Sequence, residues 1–263
     1  MFTFGLKLWS LNKDYIQDAV RLFERGIYEY IELYVVPDSY QAMIDAWKAL
    51  PIPYVIHAPH SGHGMNLAKR AALEANMTMA REAQRFADAL QAEKIIFHPG
   101  VSGEIHETVF QLRQIHDARI LLENKPYFSV YDESICVGHS PEEIAYAMRE
   151  TEGGFCLDIG HAVCAANAKG IEPFALLEVF MRLKPNMYHL SDGDWHGVMD
   201  CHWHLGSGTF PLQQIVWNIP CHTPITIETD KNSDEQLGDF ISDVEYVKQY
   251  HRLKHHEDSF CIQ

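Results

Sequence analysis

Seven side chains of types that bind divalent cations fall at or just beyond the ends of short apolar runs in this sequence, and two more stand together in one loop. His57 closes "YVIH", His98 "IIFH", Glu123 "ILLE", Asp158 "GFCLD" and Glu228 "ITIE", and His189 sits in "MYHL". His161 follows Asp158 by three residues, and Asp200 and His202 stand two apart in "DCHWHLGSG". Any one of these alone reads as an ordinary buried polar group with a partner. Gathered together without a cation, the carboxylates would repel one another and pay for desolvation. Imidazole and carboxylate without thiolate suits Zn²⁺, Mn²⁺ or Co²⁺ better than an all-oxygen Mg²⁺ or Ca²⁺ site. "DCHWHLGSG" by itself fits a solvated acidic loop as well as a metal site, and the other ligand types tip it toward metal. An extended D-x-H segment would project Asp200 and His202 to one side and turn Cys201 away. His204 continues that alternation or makes supporting hydrogen bonds.

Positioning such a set requires elements whose ends converge. Eight apolar runs at 2–9, 28–36, 52–57, 93–98, 118–123, 154–158, 186–190 and 223–228 read as strands, broken by Gly, Pro or polar residues. Between them lie helix candidates over 66–92, from 140 onward and over about 235–252. Ser140, Pro141 and Glu143 form an N-terminal capping box for the second of these. No Gly/Pro/Ser-rich linker interrupts the alternation. The pattern predicts an α/β fold, a single (β/α)8 TIM barrel spanning 1–263, whose strand ends share one face. An open doubly wound sheet is the alternative, but no GxGxxG or P-loop follows a strand.

The chain of 263 residues has a formal net charge of −15 and no Lys/Arg run longer than a pair, so no basic face for nucleic acid is visible. Cys136, Cys156, Cys164, Cys201, Cys221 and Cys261 form no CxxC pair and read as reduced thiols of a cytoplasmic protein. No signal pattern or apolar run of membrane-spanning length is present. The polar stretch 251–260 reads as a solvated tail. His106, His116, His139, His222 and His251 have no partners at useful spacing and read as surface or capping residues.

The motifs "FHPG", "LLEN", "LDIGHA", "HLSD", "DCHWHLGSG" and "IET" occur in the order of the xylose isomerase-like barrel superfamily, which includes endonuclease IV and the sugar isomerases and epimerases. The chain resembles that family over nearly its whole length. The resemblance implies that Glu123, Asp158, His189 and Glu228 hold one divalent ion. It implies that His98, Glu123 and a strand-three histidine hold a second, and that His161, Asp200 and His202 hold a third. His57 and His60 both suit the strand-three position, and His57 is preferred. Two departures from endonuclease IV stand out. "GLKLWSLN" lacks the histidine that usually ends strand one, and "IELYVVPDSY", with Glu32, lacks a basic and aromatic DNA-reading loop.

The first functional expectation is a sugar or sugar-phosphate isomerase or epimerase using one to three divalent ions. Glu123 and Glu228 would exchange the proton, and His161 would polarise the carbonyl. The alternative is a multinuclear zinc phosphodiesterase or phosphatase related to endonuclease IV, and a non-catalytic metal-stabilised scaffold is the third. His60, Lys125, Trp195 and Trp203 are candidate substrate contacts. Lys125 would face a phosphate or carboxylate unless it is a plain surface lysine. The tryptophans would stack on a substrate ring unless they merely cover the barrel mouth. The partner expected is a small sugar or phosphorylated molecule, with nucleic acid disfavoured and no membrane, and a homo-oligomer is compatible with this reading.

Overall fold

The computed structural model describes residues 2–260, with side chains as far as residue 250. Cys261 therefore lies outside the described residues. Eight parallel strands close into a barrel in sequence order. They are β1 (Thr3–Trp9), β2 (Tyr30–Tyr34), β3 (Tyr54–His57), β4 (Ile95–Phe97), β5 (Ile120–Glu123), β6 (Gly154–Asp158), β7 (Met187–Leu190) and β8 (Pro224–Ile227). The helices are α1 (Ile16–Glu24), α2 (Tyr40–Lys48), α3 (Leu73–Leu90), α4 (Ile105–Ile115), α5 (Pro141–Thr151), α6 (Ile159–Ala168), α7 (Pro173–Arg182), α8 (Leu212–Asn218) and α9 (Gly238–Phe260). Two helices, α6 and α7, fill the crossover between β6 and β7. The expected (β/α)8 barrel is therefore the fold.

Strand residues alternate between the helix layer and the barrel interior. Phe4, Leu6, Leu8, Leu33, Ile56, Leu122 and Leu157 join the main core with the helices. Tyr30, Val55, Ile96, Leu121, Cys156 and Met187 form a separate apolar cluster inside the barrel. Two positions along the chain from these six lie Glu32, His57, His98, Glu123, Asp158 and His189. The period of two thus stacks a polar layer on an apolar one. Gly5 leaves room for this packing: a Cβ there would sit 2.3 Å from the Tyr30 ring. Tyr30 reaches across to donate to Thr226 Oγ1 at 2.9 Å, which floors the barrel.

Helix boundaries shift where polar side chains compete for the backbone. The periodic stretch 66–92 becomes helical only from Leu73. Before that, Asn66 Oδ1 accepts from Ala68 N and Val101 N, and its main chain pairs with Asn76. Ser140 caps α5 as expected, accepting from Glu143 N at 3.3 Å. The carboxylate of Glu143 turns instead to Gly138 N at 2.9 Å, so the box is half formed. The last helix runs to Phe260, and the side chains of 251–260, on which the expected solvated tail rests, lie outside the described residues.

Candidate metal centre

The carboxyl ends of the strands gather the sequence-derived ligands into three adjoining clusters, and in the outer two the ligand atoms lie mutually within 4.8 Å. His57, His98 and Glu123 form one, and His161, Asp200 and His202 another. Between them His189 Nδ1 faces Glu228 Oε2 at 2.7 Å, Glu123 Oε2 at 3.3 Å and Asp158 Oδ2 at 3.8 Å. Glu123 is the shared member. Its Oε1 meets His98 Nε2 and its Oε2 meets His57 Nε2, each at 3.1 Å. That contact places His57 rather than His60 among the candidate ligands. His60 lines the cleft above, stacked on His98 with ring centroids 5.2 Å apart.

The second nitrogen of most of these rings is fixed. His57 Nδ1 donates to the Ala58 carbonyl at 2.8 Å, His161 Nδ1 to that of Asn124 at 2.8 Å, and His202 Nδ1 to that of Glu228 at 2.7 Å. His189 Nε2 donates to Glu32 Oε2 at 2.9 Å. Such anchoring sets the tautomer and leaves the opposite lone pair pointing at carboxylate oxygens. Lone pair facing lone pair is unfavourable unless a cation or proton lies between. Accordingly His98 Nε2, His189 Nδ1 and Glu228 Oε2 are buried without an aligned hydrogen bond. The donor chemistry and these orphaned atoms fit divalent cations.

The electrostatics agree. Five carboxylates, Glu32, Glu123, Asp158, Asp200 and Glu228, crowd this end of the barrel. Burial and neighbouring carboxylates push Asp158 up to about 6. Burial opposes charge on His161, yet Asp158 and Asp200 raise it to about 9. Burial would also raise Glu123, but the imidazoles of His98 and His189 hold it well below the ordinary carboxylate range. Without metal, protons must serve as the counter-charge.

Two charged residues of this layer are not among the sequence-derived site members. Lys7 Nζ donates to Glu32 Oε1 at 2.5 Å and lies 3.1 Å from Glu228 Oε1. Lys7 and Glu32 are directly paired between β1 and β2. Thr226 Oγ1 also donates to Glu32, at 2.6 Å. A signal for them exists in the sequence: a lone charge inside each of the apolar strands "GLKLW" and "YIELY" requires a buried partner.

The loop carrying Asp200 and His202 is built rather than solvated. Asp192 accepts from the main-chain N–H groups of Gly193, Gly206, Gly208 and Phe210 at 2.8–3.1 Å. A Cβ on Gly208 would lie 2.3 Å from the Gly193 carbonyl oxygen. His204 Nδ1 reaches Asp243 of α9 at 2.8 Å, a support for the loop and not a ligand. The expected extended D-x-H geometry is not what forms, because His202 takes a left-handed φ of 49°. That turn still brings His202 Nε2 within 2.6 Å of Asp200 Oδ2. Cys201 Sγ is directed to the Met199 carbonyl at 3.4 Å.

A cleft of about 540 Å³ opens over the clusters, lined by Lys7, Trp9, Tyr34, His60, Lys125, Tyr131 and Lys231 among others. The expected tryptophans do not line it. Trp195 packs on Phe174 and Phe210, and the main chain of Trp203 pairs with Asp192 in an antiparallel bridge. Trp9 takes the wall position instead, with Tyr131 on a short hairpin closed by the Phe128–Ile135 bridge. Lys125 does face the cleft, with Nζ 3.3 Å from His161 Nε2.

A (β/α)8 barrel with a polar His/Asp/Glu layer at its carboxyl end defines a class of metal-site barrels. Within it, residues 18–250 match the model of the xylose isomerase-like TIM barrel family, and the chain belongs to that family. An uncharacterized protein of Methanocaldococcus jannaschii, MJ1311, is 21% identical over 238 residues, covering 82% of this chain and 76% of that one. A D-tagatose 3-epimerase-like protein superposes with a TM-score of 0.71 at 19% identity, covering 97% of this chain and 99% of the other. Endonuclease IV from Thermus thermophilus gives 0.69 at 22% identity, covering 94% and 99%. These likenesses establish the shared fold.

Proposed function

We propose that the chain is a multinuclear, metal-dependent phosphoester hydrolase acting on a small phosphorylated molecule. The observation that carries this reading is the assembled third cluster: His161 and His202 both aim Nε2 at Asp200 Oδ2, at 3.3 and 2.6 Å. A one-ion isomerase has no use for three further ligands fixed in this way. Ions held by the three clusters would supply Lewis-acid charge to a phosphoryl group and acidify a water beside it. Glu123, with an imidazole at each oxygen, has the surroundings of a bridging carboxylate. Lys7 and Lys125 bring ammonium groups to the same cleft, where they offset the charge of an anionic substrate. The cleft volume and the net charge of −15 favour a small substrate over a DNA duplex.

Isomerase or epimerase chemistry is the second reading. It is favoured by the ring of Glu123, Asp158 and Glu228 around His189 Nδ1, which suffices for one ion with flanking carboxylates. Metal analysis combined with two assays separates the readings. Hydrolysis requires more than one bound ion and release of inorganic phosphate or alcohol from phosphoesters, lost in D200N and H202A. A single ion per chain, with solvent proton exchange into a ketose that survives D200N, would overturn the hydrolase reading.

A further inference from the structure

One lone pair in the site has two claimants. Once His161 gives up the proton that Asp158 and Asp200 favour, Nε2 is its acceptor, because Nδ1 donates to the Asn124 carbonyl. Asp200 Oδ2 lies 3.3 Å from that Nε2 on the side of the third cluster. Lys125 Nζ lies 3.3 Å from the same atom and 4.0 Å from Glu123 Oε1. The Lys125 main chain is held, its N–H donating to the Gly138 carbonyl at 3.0 Å, while its side chain lines the open cleft. Only the four-carbon stem need move.

An imidazole nitrogen has one lone pair, which accepts an ammonium N–H or coordinates a cation but does not do both. We propose that Lys125 and the third-cluster ion are alternative occupants of His161 Nε2. Ion binding there turns the Lys125 ammonium out into the cleft, toward an anionic substrate. Repulsion between an ammonium and a divalent ion a few ångströms apart reinforces the exclusion. The first two clusters therefore fill before the third. An oxyanion that engages the displaced lysine helps the third ion to bind, and the coupling is reciprocal. The inference rests on the metal reading of the centre and is independent of which reaction the centre performs.

Binding of Co²⁺ to ion-free protein, followed by calorimetry and by d–d absorption, tests it in wild type, K125M, K125Q and K125R. H161A identifies the third equivalent by removing it. The third equivalent should tighten by about tenfold or more in K125M and K125Q, with the first two unchanged, and stay weak in K125R. Inorganic phosphate should strengthen the third equivalent in wild type and have less effect in K125M. Equal third-ion affinity in wild type and both neutral variants overturns the proposal. So does an equal phosphate effect in wild type and K125M, or the absence of a third equivalent from every form. Tightening in K125M with no phosphoester hydrolysis by the wild type would sink the hydrolase reading and leave this inference standing. Hydrolysis with unchanged binding in K125M would do the reverse.

Discussion

Glu32 is the residue on which most of the buried charge converges. It accepts from Lys7, Thr226 and His189, and thereby turns His189 Nδ1 toward three carboxylates. Carboxylates that orient a ligating histidine are worth about 10–100-fold in metal affinity. E32Q should therefore lower metal retention by that factor, read as metal content after dialysis against a graded chelator. Unchanged retention would mean that His189 is not a ligand. Glu228 faces both Lys7 and His189, so E228Q should abolish turnover under either proposed reaction. Activity surviving that change would remove Glu228 from the centre. The candidate ligands are legible in the sequence because seven lie at a strand end or in the turn beyond it and the other two, Asp200 and His202, stand together in one loop. Lys7 is signalled only as a lone charge in an apolar strand, and its pairing with Glu32 follows from the register of β1 against β2, which the sequence does not give. The wall-lining role of Trp9, expected of Trp195 and Trp203, is hidden for a related reason. Sequence places a tryptophan near the mouth but does not say which way its ring turns.

At the scale of the element, the connection from β7 to α8 depends on Asp192. Four main-chain N–H groups lose their acceptor charge in D192N, which should cost about 1–3 kcal/mol in denaturant unfolding. The third-cluster ion should weaken in the same variant while the other equivalents stay unchanged. G208A should act similarly, because its methyl would meet the Gly193 carbonyl. A second staple lies before β5, where Asp117 accepts from Arg119 N and Nε at 2.9 Å and from Nη2 at 2.7 Å. Arg119 holds the Asp117 carboxyl at about 2, below its ordinary 3.8. A depressed carboxylate stabilises the fold above its unfolded pKa and loses that contribution as pH falls through its folded value. D117N should thus cost about 1 kcal/mol near neutrality, and the difference should vanish between about pH 4 and pH 2. A constant difference across that range would reject the assignment. Strand positions are readable from β-branched runs bounded by breakers. The left-handed turn at His202 is not, since it is imposed by loop closure onto Asp192 and Asp243 rather than by local residue type.

For the whole molecule, the metal reading makes folding and ion occupancy one equilibrium. The barrel brings five carboxylates together, and an ion that binds only the folded chain stabilises it by mass action. At a thousandfold excess over the dissociation constant this amounts to about 4 kcal/mol. Chelation should lower the melting temperature by roughly 10 °C, and re-addition of Zn²⁺ or Co²⁺ should restore it. A melting temperature indifferent to chelator would contradict a high-affinity centre. Among the described residues no helix is long and apolar enough to cross a membrane.

The Tyr30 ring in the space left by Gly5 has a kinetic meaning. It helps fill the apolar layer beneath the ligands, where Tyr30 packs with Val55, Ile96, Leu121, Cys156 and Met187. The cleft walled by Trp9 and the Tyr131 hairpin is then the expected route to the ligand layer. Release of a bound ion to a chelator should then slow when that cleft is occupied by a substrate-sized molecule, even one that touches no ligand.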